Sequence, residues 1–91
     1  MGKTVKDLVP IDQNKPDDTN VNNIRYNIAQ ILVYIKCTRS TKFCLAGSLK
    51  ANDLKCRSLL LNYKAWLAYK QATADDLMPK ISLALDFLQA S

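Results

Sequence analysis

The chain has 91 residues, 48% hydrophobic and 23% charged, with two Gly, three Pro and a net charge of +5. That length makes one domain with a thin core. The composition excludes a disordered chain, and the scarcity of Gly and Pro argues against a turn-rich all-β fold. No apolar run approaches the roughly 20 residues a membrane-spanning helix needs. The first residues, MGKTVKDLVPIDQNKPDD, lack the apolar stretch of a secretory signal, so a cytoplasmic location is expected.

Charge is unevenly placed. Residues 21–70 carry nine Lys or Arg against Asp53 alone, while the segments on either side are net acidic. This asymmetry points to a polyanionic partner, nucleic acid before a membrane surface. All eight acidic residues are Asp, and there is no His. The three cysteines, Cys37, Cys44 and Cys56, have no C-x-x-C spacing. They read as reduced, buried small hydrophobes, and no metal site or cofactor is expected.

In chain order, residues 1–18 are expected to form a polar, extended and partly mobile arm, because Pro10 and Pro16 oppose a regular helix. Val5, Leu8, Val9 and Ile11 are the arm residues that could pack on the body. Residues 19–91 are expected to form a single helical domain. Asp17-Asp18-Thr19-Asn20 supplies N-cap residue types. After it, Ile24, Ile28, Ile31 and Ile35 fall on one helical stripe, with Val21 and Leu32 beside them and Asn23, Arg25, Asn27 and Gln30 on other faces. A short helix is expected over Lys42–Lys50, then a turn at Ala51-Asn52.

The stretch Asn52–Gln71, NDLKCRSLLLNYKAWLAYKQ, reads as the central helix, with Asn52 as its N-cap. Its inward stripe is Cys56, Leu60, Tyr63 and Leu67, with Leu59 and Trp66 adjacent. Leu54, Leu61, Ala65, Ala68 and Tyr69 carry apolar character further round than one buried stripe requires. That implies either the centre of a bundle or a self-association face, and a homodimer is the expectation. For the last helix, Thr73 and Asp76 form a capping-box pattern, whereas Pro79 suggests a short turn at 74–78 with Pro79 at the first helical position. Leu77, Ile81, Ala84, Leu85 and Leu88 share one face. The expected fold is thus all-α, a small bundle of three to four helices with a helix-turn-helix-like centre and the N-terminal arm.

The segment Lys42–Tyr63 resembles a helix-turn-helix. Leu45 and Ala46 supply the aliphatic–small pair, Leu49 closes the first helix, Ala51 is the small turn residue, and Cys56 and Leu59 point inward from the second helix. It departs from the motif at Lys50, where a glycine usually provides a positive φ. The resemblance implies that Asn52, Lys55, Arg57 and Ser58 reach base edges, and that Arg39, Lys42, Lys50 and Lys64 contact phosphates. The same charges are equally those of an ordinary solvated helix.

Enzymatic signals are weak: His, Glu and a Gly-rich loop are all missing, and no catalytic residue is expected. The leading expectation is a non-enzymatic nucleic-acid-binding or regulatory protein, with DNA ahead of RNA. The alternative is a small interaction protein, of the inhibitor, immunity or adaptor type, that docks on a larger protein through Tyr63, Trp66 and Tyr69. Aromatic residues and Arg dominate interface energies.

Overall fold

A computed structural model describes residues 8–12, 14, 18–40, 46–70 and 74–89, with backbone alone for 39, 40, 46–50 and 89. The described residues form three helices and no strand: α1, Asp18–Ser40; α2, Ala46–Tyr69; and α3, Leu77–Gln89. None of the three is long and apolar enough to cross a membrane.

α1 runs 23 residues, with Asp18 in its first turn, where a carboxylate suits the helix dipole. Val21, Ile24, Ile28, Ile31 and Ile35 are all buried, and Leu32 packs beside them. The isoleucine stripe therefore forms the α1 wall of the core as its spacing predicts. The helix continues past Cys37 through Ser40 and includes Thr38. The Thr38 hydroxyl donates to the carbonyls of Tyr34 and Ile35, at 2.9 and 3.2 Å, so its polar atom is satisfied within the helix.

α2 departs from expectation. It is one 24-residue helix that starts six residues before Asn52 and passes without interruption through Lys50, Ala51 and Asn52. The short helix ending at Lys50 and the turn at Ala51-Asn52 are thus not present as separate features, and Asn52 is a half-buried interior residue instead of an N-cap. The reason is local. Ala and Lys are among the best helix formers, Asn costs at most about 0.7 kcal/mol, and no Pro or Gly stands between Ser48 and Tyr69 to break the helix. Lys42 and Leu45 lie outside the described residues, as do Val5, Cys44 and Thr73.

The inward side of α2 is Cys56, Leu60, Tyr63, Trp66 and Leu67, all buried, with Leu59 packed beside them. Helix hydrogen bonding closes with the Lys70 amide on the Trp66 carbonyl at 2.9 Å. A turn follows at Asp75-Asp76, with the Leu77 amide donating to the Ala74 carbonyl at 2.9 Å. α3 starts at Leu77, two residues before Pro79. Pro79 sits in the first turn, where helical amides lack intrahelical partners and its missing N–H costs nothing. Leu77, Ile81, Ala84, Leu85 and Leu88 are buried, as one face. Each helix packs against both others, with α3 in closer contact with α1 and α2 than these are with one another.

One bidentate ion pair ties α1 to the turn before α3. Arg25 Nε and Nη2 donate to the two Asp76 carboxylate oxygens at 3.2 and 3.1 Å, and Nη1 donates to the Asn22 side chain at 2.9 Å. Hydrogen bonding to Arg25 holds the Asp76 carboxyl below its ordinary value.

Polar residues within the core are organised on α1 at seven-residue spacing: Asn20, Asn27 and Tyr34, all buried. Tyr34 donates its hydroxyl to Asp53 on α2 at 2.9 Å, which accounts for a buried carboxylate in the first half of that helix. Asn27 donates to the Tyr63 hydroxyl at 2.9 Å. Asn20 and Asn27 also hold the arm. The Val9 amide donates to Asn27 Oδ1 at 2.7 Å, and Asn27 Nδ2 donates back to the Val9 carbonyl at 2.8 Å. Asn20 repeats the pattern three residues along the arm. It accepts from the Asp12 amide at 3.2 Å and donates to the Asp12 carbonyl. Leu8 and Ile11 pack against the core, and the Asn14 amide closes a turn on the Asp12 carboxylate at 3.0 Å. Residues 8–12 are therefore docked on the body.

Candidate partner-binding surface

The outer side of α2 follows from its helical spacing. Leu54 and Leu61 are seven residues apart, 55% and 47% exposed, with Ser58, Ala65 and Ala68 exposed between and after them. Two heptad-spaced positions on a helix fall nearly in line. Arg57 and Lys64, also seven apart, form a parallel exposed row on one flank, and Lys55 stands exposed on the other. Among the described residues, the ion pair of Arg25 with Asp76 involves none of these three cations. The apolar positions that exceeded the needs of one core thus remain on the surface of the single chain, edged with positive charge.

Further along the same helix a surface cleft of about 370 Å³ is lined by Asn14, Asn62, Ala65, Trp66, Tyr69 and Lys70. Tyr69 is 78% exposed, and Lys70 Nζ stands 4.9 Å from its ring centroid, within cation–π range. Trp66 contributes only its rim, since the residue is 6% exposed.

The expected site residues therefore separate. Lys55, Arg57, Ser58 and Lys64 are exposed on α2, and Asn52 is half-buried beside them. Asn52 is the seventh residue of the helix, so these side chains do not project from a helix N-terminus as a recognition helix would require. The α2 backbone includes Lys50 and the α1 backbone includes Arg39, while Lys42 lies outside the described residues. Of the three aromatic residues, Tyr63 and Trp66 belong to the core, and Tyr69 alone presents a large surface. Sequence reasoning missed Asn20 and Asn27. The legible signal was their common seven-residue spacing with Tyr34, alongside the isoleucine stripe.

Burial holds the Tyr63 phenol above its ordinary value, against the opposing effect of the Asn27 hydrogen bond. A raised folded value means that the fold favours the protonated phenol. The contribution is complete below the unfolded tyrosine value, about 10, and is lost as pH rises through the higher folded value. Urea midpoints followed by circular dichroism are expected to fall above about pH 10. In Tyr63→Phe that part of the fall is absent; parallel pH profiles for the two proteins would contradict it.

These observations define the class: a small all-α protein whose described residues form three mutually packed helices with a docked N-terminal segment. Comparison with known protein families, with curated proteins and with solved structures finds no match for this chain.

Proposed function

We propose that this is a non-enzymatic interaction protein that docks on a larger protein through the outer side of α2. Leu54, Leu61 and Tyr69 supply the apolar contacts, and Lys55, Arg57 and Lys64 supply the charged rim. The observation that carries this reading is the exposed Leu54–Leu61 row flanked by cations. Large apolar side chains at heptad spacing form the pattern by which helices pack on one another. Basic flanks on both sides repel a second copy of the same face and favour an acidic partner over a homodimer. A protein of this kind acts by covering or positioning its partner, as inhibitors and adaptors do.

The nucleic-acid reading draws on the same exposed Lys55, Arg57 and Lys64. Without a turn before Asn52, these cations suit phosphate contacts better than base reading. Exposed leucines between them add nothing to a phosphate surface, which places this reading second.

The two differ in what they need. Pull-down with the tagged chain, at low salt with and without nuclease, is expected to retain a protein after nuclease treatment. Leu54→Asp with Leu61→Asp is expected to lose that protein while the helical spectrum stays unchanged. Neutralised phosphates would instead make affinity fall by orders of magnitude between about 50 and 200 mM salt. Binding that survives the leucine changes but disappears with Lys55→Ala and Arg57→Ala, or with nuclease, would establish nucleic acid as the partner.

A further inference from the structure

Exposure along α2 repeats every seven residues. From Ala51 to Tyr69 the exposed residues hold four positions of the heptad, and the buried or half-buried ones hold the other three. Ala51, Leu54, Ser58, Leu61, Ala65 and Ala68 recur at alternating steps of three and four and form the midline of the open side. Those steps are the ones that a coiled-coil seam takes. A straight helix drifts about 20° per heptad from that register, or about 50° over these residues, which stays inside a stripe of about 100°. The seam is about 25 Å long, or roughly two and a half heptads. Bulky side chains of a facing helix fit opposite its small residues, and the two leucines fill the spaces between. At Ala65 the seam opens into the cleft edged by Trp66 and Tyr69.

The flanks carry charge of one sign. Arg57 and Lys64 hold the same position in successive heptads on one side, and Lys55, Asn62 and Tyr69 hold the corresponding position on the other. Asp53 is the only acidic residue of α2, and it is buried against Tyr34. Flanking charges select the partner in a coiled coil. A second copy of α2 offers Arg57 and Lys64 no carboxylate in either orientation. Parallel copies set them against the flank of Asn62 and Tyr69, and antiparallel copies set them against each other.

We infer that the outer side of α2 is one half of a two-helix coiled coil whose other half is an acidic amphipathic helix of a partner protein. That helix carries apolar residues at the same heptad spacing and Asp or Glu along the flank that meets Arg57 and Lys64. The inference rests on the docking role proposed above for this face, and it names the partner's chemistry.

The test uses the full chain and a fluorescent synthetic peptide of about three heptads, with Leu along the seam and Glu on both flanks. Two controls accompany it: the same composition with the heptad spacing scrambled, and the same seam with Lys on the flanks. By fluorescence anisotropy the acidic heptad peptide is expected to bind at least roughly tenfold more tightly than either control. Leu54→Asp with Leu61→Asp is expected to abolish that binding. Leu83→Asp, at a leucine of α3 that is 51% exposed, is expected to leave it unchanged. Arg57→Glu with Lys64→Glu is expected to exchange the preference, losing the acidic peptide and gaining the Lys-flanked one. If that variant fails to fold by circular dichroism, Arg57→Gln with Lys64→Gln is expected to lose the preference for the acidic peptide.

Equal binding of the acidic heptad peptide and its scrambled form would mean that charge alone attracts, and would overturn the partner helix. So would a charge-reversed chain that folds and keeps its preference for the acidic peptide. Concentration-dependent dimers of the unsubstituted chain that dissociate on Leu54→Asp with Leu61→Asp would assign the face to a second copy and overturn the proposal. A pull-down partner that needs Leu54 and Leu61, while all three peptides bind alike, would keep the docking face and remove the helix. A pull-down partner that ignores both leucines would remove the docking face and the helix with it.

Discussion

Replacing Trp66 with alanine is expected to lower the free energy of unfolding by about 3–5 kcal/mol, the range for removing a large aromatic side chain from a packed core. Trp66 is 6% exposed and packs with Tyr63, Leu67 and the faces of the other helices. A domain of this size has a total stability of about 5–10 kcal/mol, so the loss is a large part of the whole. Each kcal/mol corresponds to roughly 4–8 °C in Tm for a domain of 60–100 residues. Thermal or urea unfolding followed at 222 nm reads the effect directly. Tyr69→Ala, three residues on, is the matched control: its ring is exposed, and surface changes of that kind stay within about 0.5 kcal/mol. Partner binding is expected to separate the two oppositely, with Tyr69→Ala folded but weakened in docking. A Trp66→Ala protein as stable as the unsubstituted one would remove Trp66 from the core.

That contrast shows where the sequence was readable. Hydrophobic spacing located all three core faces, because a buried stripe must repeat at the helical period whatever it packs against. The isoleucines of α1, the Cys56–Leu60–Tyr63–Leu67 row of α2 and the Leu77–Leu88 face of α3 are buried together. Spacing alone does not separate core from partner surface on a helix with apolar residues around most of its girth. Trp66 and Tyr69 therefore both qualify as partner anchors in sequence, although one is buried and the other open. The boundary of α2 was less legible for a different reason. Asn52 is a good cap and an acceptable interior residue, so its type alone leaves the helix start open, and its neighbour Asp53 is held by a residue distant in sequence, Tyr34. The same holds for Asn27. A polar residue in a helical pattern is read as outward-facing unless a partner for its amide is known, and its partners here are a backbone 18 residues earlier and a hydroxyl 36 residues later.

Asn27→Ala is expected to produce the second large loss, and its size comes from what is left behind. The fully buried amide serves three partners: the Val9 N–H, the Val9 carbonyl and the Tyr63 hydroxyl. A typical hydrogen bond contributes a net of about 1 kcal/mol, but a buried polar group left without a partner costs about 1–3 kcal/mol. Water reaching the part-buried Val9 groups offsets some of this, so an overall loss of about 2–4 kcal/mol is expected. Tyr63→Phe removes the hydroxyl alone and should cost about 1 kcal/mol, since Asn27 keeps its arm contacts. In the double variant the Tyr63 hydroxyl is no longer present to be orphaned. The combined loss should therefore be less than the sum of the single losses, by about 0.5–3 kcal/mol, the range for residues in one hydrogen-bond network. Strict additivity in urea unfolding would mean that Asn27 and Tyr63 act independently. A sub-additive cycle, with faster exchange of the Asp12 amide in Asn27→Ala alone of the two single variants, would show one polar network joining α1, α2 and the arm.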